Sequence, residues 1–130
     1  MILRTGVDLI EIDRVAEVVR RHGERYLDRI YTEAELEQSH RNAQYLAGRF
    51  AAKEAVAKAL GTGIGEVGWQ EIEVLGDEQN APMLKLSGAA RKRADELGLT
   101  EWSLSISHSL THAVAFAVAV GGQAPNHVSK

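Results

Sequence analysis

His112-Ala113-Val114-Ala115-Phe116-Ala117-Val118-Ala119-Val120 alternates between two kinds of apolar side chain. In an extended chain Val114, Phe116, Val118 and Val120 share one face, and Ala113, Ala115, Ala117 and Ala119 share the other. A strand dry on both faces lies in the middle of a sheet, or is covered on its second side by a helix or another subunit. The alanine face allows its cover to come close. Just upstream, Trp102, Leu104, Ile106 and His108 share one parity while Ser103, Ser105 and Ser107 share the other, so Trp102–His108 reads as the neighbouring strand.

Working outward, residues 1–12 read as a strand running straight into a helix. Val7 and Leu9 lie on one side; Ile2, Gly6, Asp8, Ile10 and Ile12 lie on the other. Asp8 therefore sits on an apolar face, where an ionised carboxylate needs a cation or donors. Asp13 is placed to cap a helix from Arg14, and Gly23 interrupts or loosens that helix. Thr32-Glu33-Ala34-Glu35 is a capping box, with Tyr31 and Leu36 placed as a hydrophobic staple. Ala43–Leu60 is the clearest helix. Its stripe of Leu46, Phe50, Ala57 and Leu60 also contains Lys53, with Glu54 on the flank, and a core stripe does not normally carry both. Gly61-Thr62-Gly63-Ile64-Gly65 ends the helix. Trp69–Leu75 and Met83–Leu86 read as a hairpin, Ser87 as the cap of a helix over Gly88–Leu97, and Gly98 as its stop. The order predicts an α+β domain, a mostly antiparallel sheet packed against helices, over residues 1–122, with a polar tail at 123–130.

Bulk properties narrow the function. One domain fits 130 residues, and 45 % apolar with 25 % charged residues is an ordinary globular mixture. A net charge of −3 argues against a nucleic-acid binder. No cysteine is present, which excludes disulfides, thiolate metal sites and a cysteine nucleophile. The N-terminus lacks a signal-peptide pattern and no stretch is long and apolar enough to span a bilayer, so the expected location is cytoplasmic, away from membranes.

Three groups of residues have chemical potential. Asp8 and Glu54 are carboxylates on otherwise apolar surfaces of different elements, suited to sharing a magnesium ion that keeps waters and substrate phosphates in its shell. The plainer alternative is separate exposure, with Glu54 and Lys58 forming an i,i+4 pair. Arg49, Lys53 and Lys58 point to different sides of one helix, so a long polyphosphate ligand crossing it reaches two or three of them; the alternative is snorkelling at a helix edge. Ser105-Ile106-Ser107-His108-Ser109 offers His108 as acid, base or phosphate donor, without any nucleophile-elbow pattern. The glycine loop lacks the P-loop pattern and reads first as a helix terminator.

Four segments together resemble the small trimeric branch of the 4′-phosphopantetheinyl transferases, the holo-[acyl-carrier-protein] synthases: Gly6-Val7-Asp8-Leu9-Ile10-Glu11-Ile12, Arg49-Phe50-Ala51-Ala52-Lys53-Glu54-Ala55-Val56-Ala57-Lys58, the glycine loop after it, and Ser105–Ser109. The resemblance covers about residues 1–120. It implies transfer of 4′-phosphopantetheine from coenzyme A to a serine of apo acyl carrier protein, releasing adenosine 3′,5′-bisphosphate. It implies magnesium at Asp8 and Glu54, with Lys58 and His108 as further catalytic residues. Arg49, Lys53, Lys58, Gly61, Gly63 and His108 would serve coenzyme binding, and Arg14 and Arg21 carrier-protein binding. The proton acceptor, Glu54 or a water at the metal, stays open. The resemblance also implies a homotrimer with active sites between subunits, and puts Lys53 and Glu54 at a cleft edge. Two other readings stand beside it: a magnesium-dependent transferase or hydrolase of another phosphorylated metabolite, and a non-enzymatic oligomeric interaction protein.

Overall fold

A computed structural model of the chain describes residues 1–122; the tail expected at 123–130 lies outside the described residues. The elements are β1 (Ile2–Glu11), α1 (Ile12–His22), α2 (Glu24–Ile30), α3 (Glu33–Ser39), α4 (Ala43–Ala59), a 3-10 turn (Trp69–Glu71), β2 (Ile72–Gly76), β3 (Pro82–Leu86), α5 (Gly88–Glu96), β4 (Leu99–His108) and β5 (His112–Gly121). This is the expected α+β arrangement, with every strand pair antiparallel.

The doubly apolar strand is the central one. β5 pairs with β1 on one side and β4 on the other, giving a sheet in the order β1-β5-β4. Its alanine face is buried beneath α4. Two features let α4 approach. Ala51, Ala52, Ala55 and Ala59 are wholly buried and present little bulk. Gly6 is the second: a Cβ there would overlap the Ala55 carbonyl and come within 2.9 Å of the Ala59 nitrogen. Helix backbone thus lies directly on β1. The opposite face of the sheet carries Leu3, Val7, Leu9 and Phe116, with Leu9 65 % and Phe116 43 % exposed.

The structure corrects four local expectations. α1 starts at Ile12, so Asp13 lies in its first turn; the N-cap is Glu11, which makes no side-chain capping bond. β1 passes directly into the helix, and the Ile12 amide is taken by the Thr111 carbonyl at 2.9 Å. Residues 69–71 form a 3-10 turn and the strand begins only at Ile72. Ser87 makes no side-chain cap to α5. Finally, the hairpin β2–β3 is a sheet of its own, since the far edge of β2 meets side chains of α3 and α4 in place of another strand. Gly23, at φ 54°, divides α1 from α2, and the Thr32–Glu35 capping box is complete. No helix among the described residues is long and apolar enough to cross a membrane.

Candidate active site

Close contact at Gly6 brings the flank of α4 onto β1, and with it three of the expected site residues. Lys58 donates through Nζ to the Val7 carbonyl at 2.9 Å and to Asp8 Oδ1 at 3.3 Å. Glu54 lies one helical turn before Lys58. Partial burial pushes its carboxyl above the ordinary value, the Asp8 carboxylate adds to the rise, and Lys58 opposes it. Two carboxylates that repel each other from facing elements, both open to solvent on one side, form an oxygen donor set suited to a hard dication. Among the described residues no cluster of three or more His, Asp or Glu could hold a metal unaided, so remaining ligands would come from solvent or substrate. The donor set fits magnesium on those terms.

A second group lies across the sheet. His108 ends β4, the edge strand opposite β1. With Gln38, Asn42, Tyr45, Arg49, Asn80 and other residues it lines a cavity of about 560 Å³. Its Nδ1 lies 3.1 Å from the Ser109 carbonyl. Arg49 is 6 % exposed. Its Nε donates to the Val74 carbonyl at 3.1 Å, its guanidinium lies 4.0 Å over the Tyr45 ring, and its Nη2 is buried without a partner among the described residues. An unpaired guanidinium nitrogen with no accessible surface is costly to the fold.

The other expectations fare differently. Lys53 is not at a cleft edge. It is fully buried, 2.8 Å from Glu35 Oε1, and also donates to the Ile72 carbonyl at 2.6 Å and the Trp69 carbonyl at 3.0 Å. All three ammonium donors are used, so none remains for a coenzyme. Burial holds its pKa below the ordinary lysine value, against the pull of Glu35. In the glycine loop the Gly61 amide donates to the Lys58 carbonyl at 3.0 Å, and the exposed Gly63 amide donates to Glu66 Oε1 at 3.3 Å. Arg14 and Arg21 lie exposed on α1, Arg21 loosely paired with Glu17 at 3.7 Å.

Sequence reasoning missed Gln38, Tyr45 and Asn80 in the cavity wall. Tyr45 was within reach, since it precedes Arg49 by one helical turn and such pairs meet on a helix face. Gln38 and Asn80 gave no signal, because a polar side chain on a short helix or in a turn usually faces water.

Comparison with known proteins bears on the whole arrangement. The sequence profile described as "4′-phosphopantetheinyl transferase superfamily" matches residues 4–118. The holo-[acyl-carrier-protein] synthase of Herpetosiphon aurantiacus is 52 % identical over 126 residues, covering 92 % of this chain and 99 % of that protein. That of Natranaerobius thermophilus is 46 % identical over 121 residues, covering 91 % and 97 %. The crystal structure of the Helicobacter pylori holo-[acyl-carrier-protein] synthase in complex with coenzyme A superposes with a TM-score of 0.82 at 32 % identity, covering 89 % of this chain and 99 % of that one.

Proposed function

The chain belongs to the 4′-phosphopantetheinyl transferase superfamily, among the holo-[acyl-carrier-protein] synthases, and we propose on that footing that it transfers 4′-phosphopantetheine from coenzyme A to a serine of apo acyl carrier protein. The observation that carries the chemistry is the convergence of Asp8, Glu54 and Lys58, from elements far apart in the chain, on one solvent-facing edge of the sheet.

Asp8 and Glu54 are the residues that would hold magnesium, which when bound neutralises charge on the diphosphate. The protein's own groups do the rest. Lys58 directs a positive charge at the same edge and stabilises charge growing on the phosphoryl oxygens and the leaving group. A bond forms between the serine oxygen and the β-phosphorus of coenzyme A. The bond from that phosphorus to the bridging oxygen breaks, and adenosine 3′,5′-bisphosphate departs. The serine proton needs an acceptor: Glu54, made more basic by burial and by Asp8, would serve if it is free of the metal, and a water beside the metal would serve otherwise. Arg49 and His108 line the cavity that receives the nucleotide end of the coenzyme, where the guanidinium supplies positive charge to the wall. Arg14 and Arg21 offer the acidic carrier protein a basic helix face.

Within one chain the two halves of this site stand at opposite edges of the sheet, Asp8 on β1 and His108 on β4. A long coenzyme spans them most directly if one subunit supplies the carboxylates and its neighbour the cavity. The exposed apolar face of Leu3, Val7, Leu9 and Phe116 supplies a surface for such packing. We therefore read the active form as a homotrimer with sites between subunits. The test of the reaction is mass spectrometry of an apo carrier protein after incubation with this chain, coenzyme A and magnesium. Addition of one phosphopantetheine group is expected; an unchanged carrier mass with a folded, coenzyme-binding protein overturns the assignment.

A further inference from the structure

β2 bonds to β3 along one edge and has no strand along the other. Open edges invite pairing with other chains and leave backbone groups unmatched. Here side chains replace the missing strand. The Ile72 carbonyl accepts from Lys53 at 2.6 Å, the Val74 amide donates to Glu35 Oε2 at 2.7 Å, and the Val74 carbonyl accepts from Arg49 Nε at 3.1 Å. At Gly76 one side chain does both: Gln38 Oε1 accepts from its amide at 2.8 Å and Gln38 Nε2 donates to its carbonyl at 3.1 Å. The column does not stop at the strand. Tyr45 Oη donates to Gln38 Oε1 at 2.9 Å, and the Tyr45 ring lies beneath the Arg49 guanidinium at 4.0 Å. Gly76, Gln38, Tyr45, Arg49 and Val74 thus close a ring, of which Gln38, Tyr45 and Arg49 line the cavity. Asn80 fills the space beside Gly76, since its Oδ1 would be 2.6 Å from a Cβ there.

We propose that Gln38 and Tyr45 are positioning residues for coenzyme binding, which hold the Arg49 guanidinium and the β2–β3 turn in the binding arrangement before the ligand arrives. The inference rests on the cavity being the coenzyme's, as argued above. An arginine side chain loses rotamer entropy when it is fixed. A ring that fixes Arg49 in the free protein removes that cost from binding. Neither residue reaches the carboxylate edge of the sheet, so the rate of transfer from bound coenzyme should not depend on them.

Calorimetric titration with adenosine 3′,5′-bisphosphate, together with steady-state kinetics, tests this on the full chain. Gln38→Ala and Tyr45→Leu are expected to raise the Kd for the nucleotide and the KM for coenzyme A about five- to tenfold, with kcat within about twofold of wild type. Tyr45→Phe keeps the ring under Arg49 and should recover most of the affinity lost in Tyr45→Leu. Gln38 is exposed, so its variant keeps the test available if Tyr45→Leu does not fold. Unchanged Kd and KM in folded variants overturn the inference, as does a fall in kcat at constant KM. A wild-type protein that fails to bind the nucleotide overturns the coenzyme reading as well; wild-type binding with unaffected variants overturns this inference alone.

Discussion

Lys58 reaches from α4 across to β1, its Nζ 3.3 Å from Asp8 Oδ1 and 2.9 Å from the Val7 carbonyl. The ammonium is held to a strand edge while its side chain stays 53 % exposed. In the free protein it screens the repulsion between Asp8 and Glu54. Lys58→Ala is expected to lower kcat about 10²-fold, the usual scale for one electrostatic group at a reacting phosphoryl centre. Lys58→Arg should recover part of it. Turnover of an apo carrier protein measured against coenzyme concentration checks both.

The raised Glu54 pKa sets a pH dependence. Its ordinary value is 4.5 and the folded value lies above that. As pH falls through the folded value, the carboxylate of the metal-free protein takes up a proton and loses its use as ligand or base, so transfer is expected to fall on the acid side as protons compete with magnesium for Glu54. The linkage runs the other way for stability of the metal-free protein. Between the ordinary and the folded value the folded state binds more protons than the unfolded one, so stability decreases as pH rises through that window. Glu54→Gln should remove this slope and raise Tm at neutral pH by about 1–3 °C while abolishing transfer. Melting curves at several pH values check the sign.

Lys53 gives a contrasting prediction. Lys53→Met leaves the buried Glu35 without its cationic partner, at an expected cost of about 3–5 kcal/mol in urea denaturation. Adding Glu35→Gln should cost less than the sum of the two single changes. A Lys53 variant with native stability and a raised KM for coenzyme A would instead restore Lys53 to the binding site.

On the carrier side, Arg14→Ala is expected to raise the KM for carrier protein about fivefold and to leave that for coenzyme A unchanged, with an effect that shrinks at high salt. Equal changes for both substrates contradict the docking role.

Several of these features could be read directly from the chain. The Ala/Val alternation of residues 113–120 left a central strand or a covered one as alternatives, both of which β5 fulfils, and its alanine face foretold a close-packed cover. Asp8 and Glu54 stood out as charges on apolar surfaces. Lys53 stood out in the same way, and there the signal was ambiguous: an interior charge can mark a ligand site or a buried pair. Its partner Glu35 was visible only as the last residue of a capping box, a role it does fill while also binding Lys53 and the Val74 amide. The separation of β2–β3 from the main sheet was hidden for a related reason. Strand patterning records which faces are dry, and carries nothing about an edge closed by side chains from distant helices.

The account stands on Asp8 and Glu54 acting on the same ion. Calorimetric titration of magnesium into the protein with coenzyme A present measures this directly, in wild type, Asp8→Asn and Glu54→Gln. Loss of at least about tenfold in magnesium affinity is expected in each variant, with native circular dichroism retained. Either variant binding magnesium as tightly as wild type would contradict it.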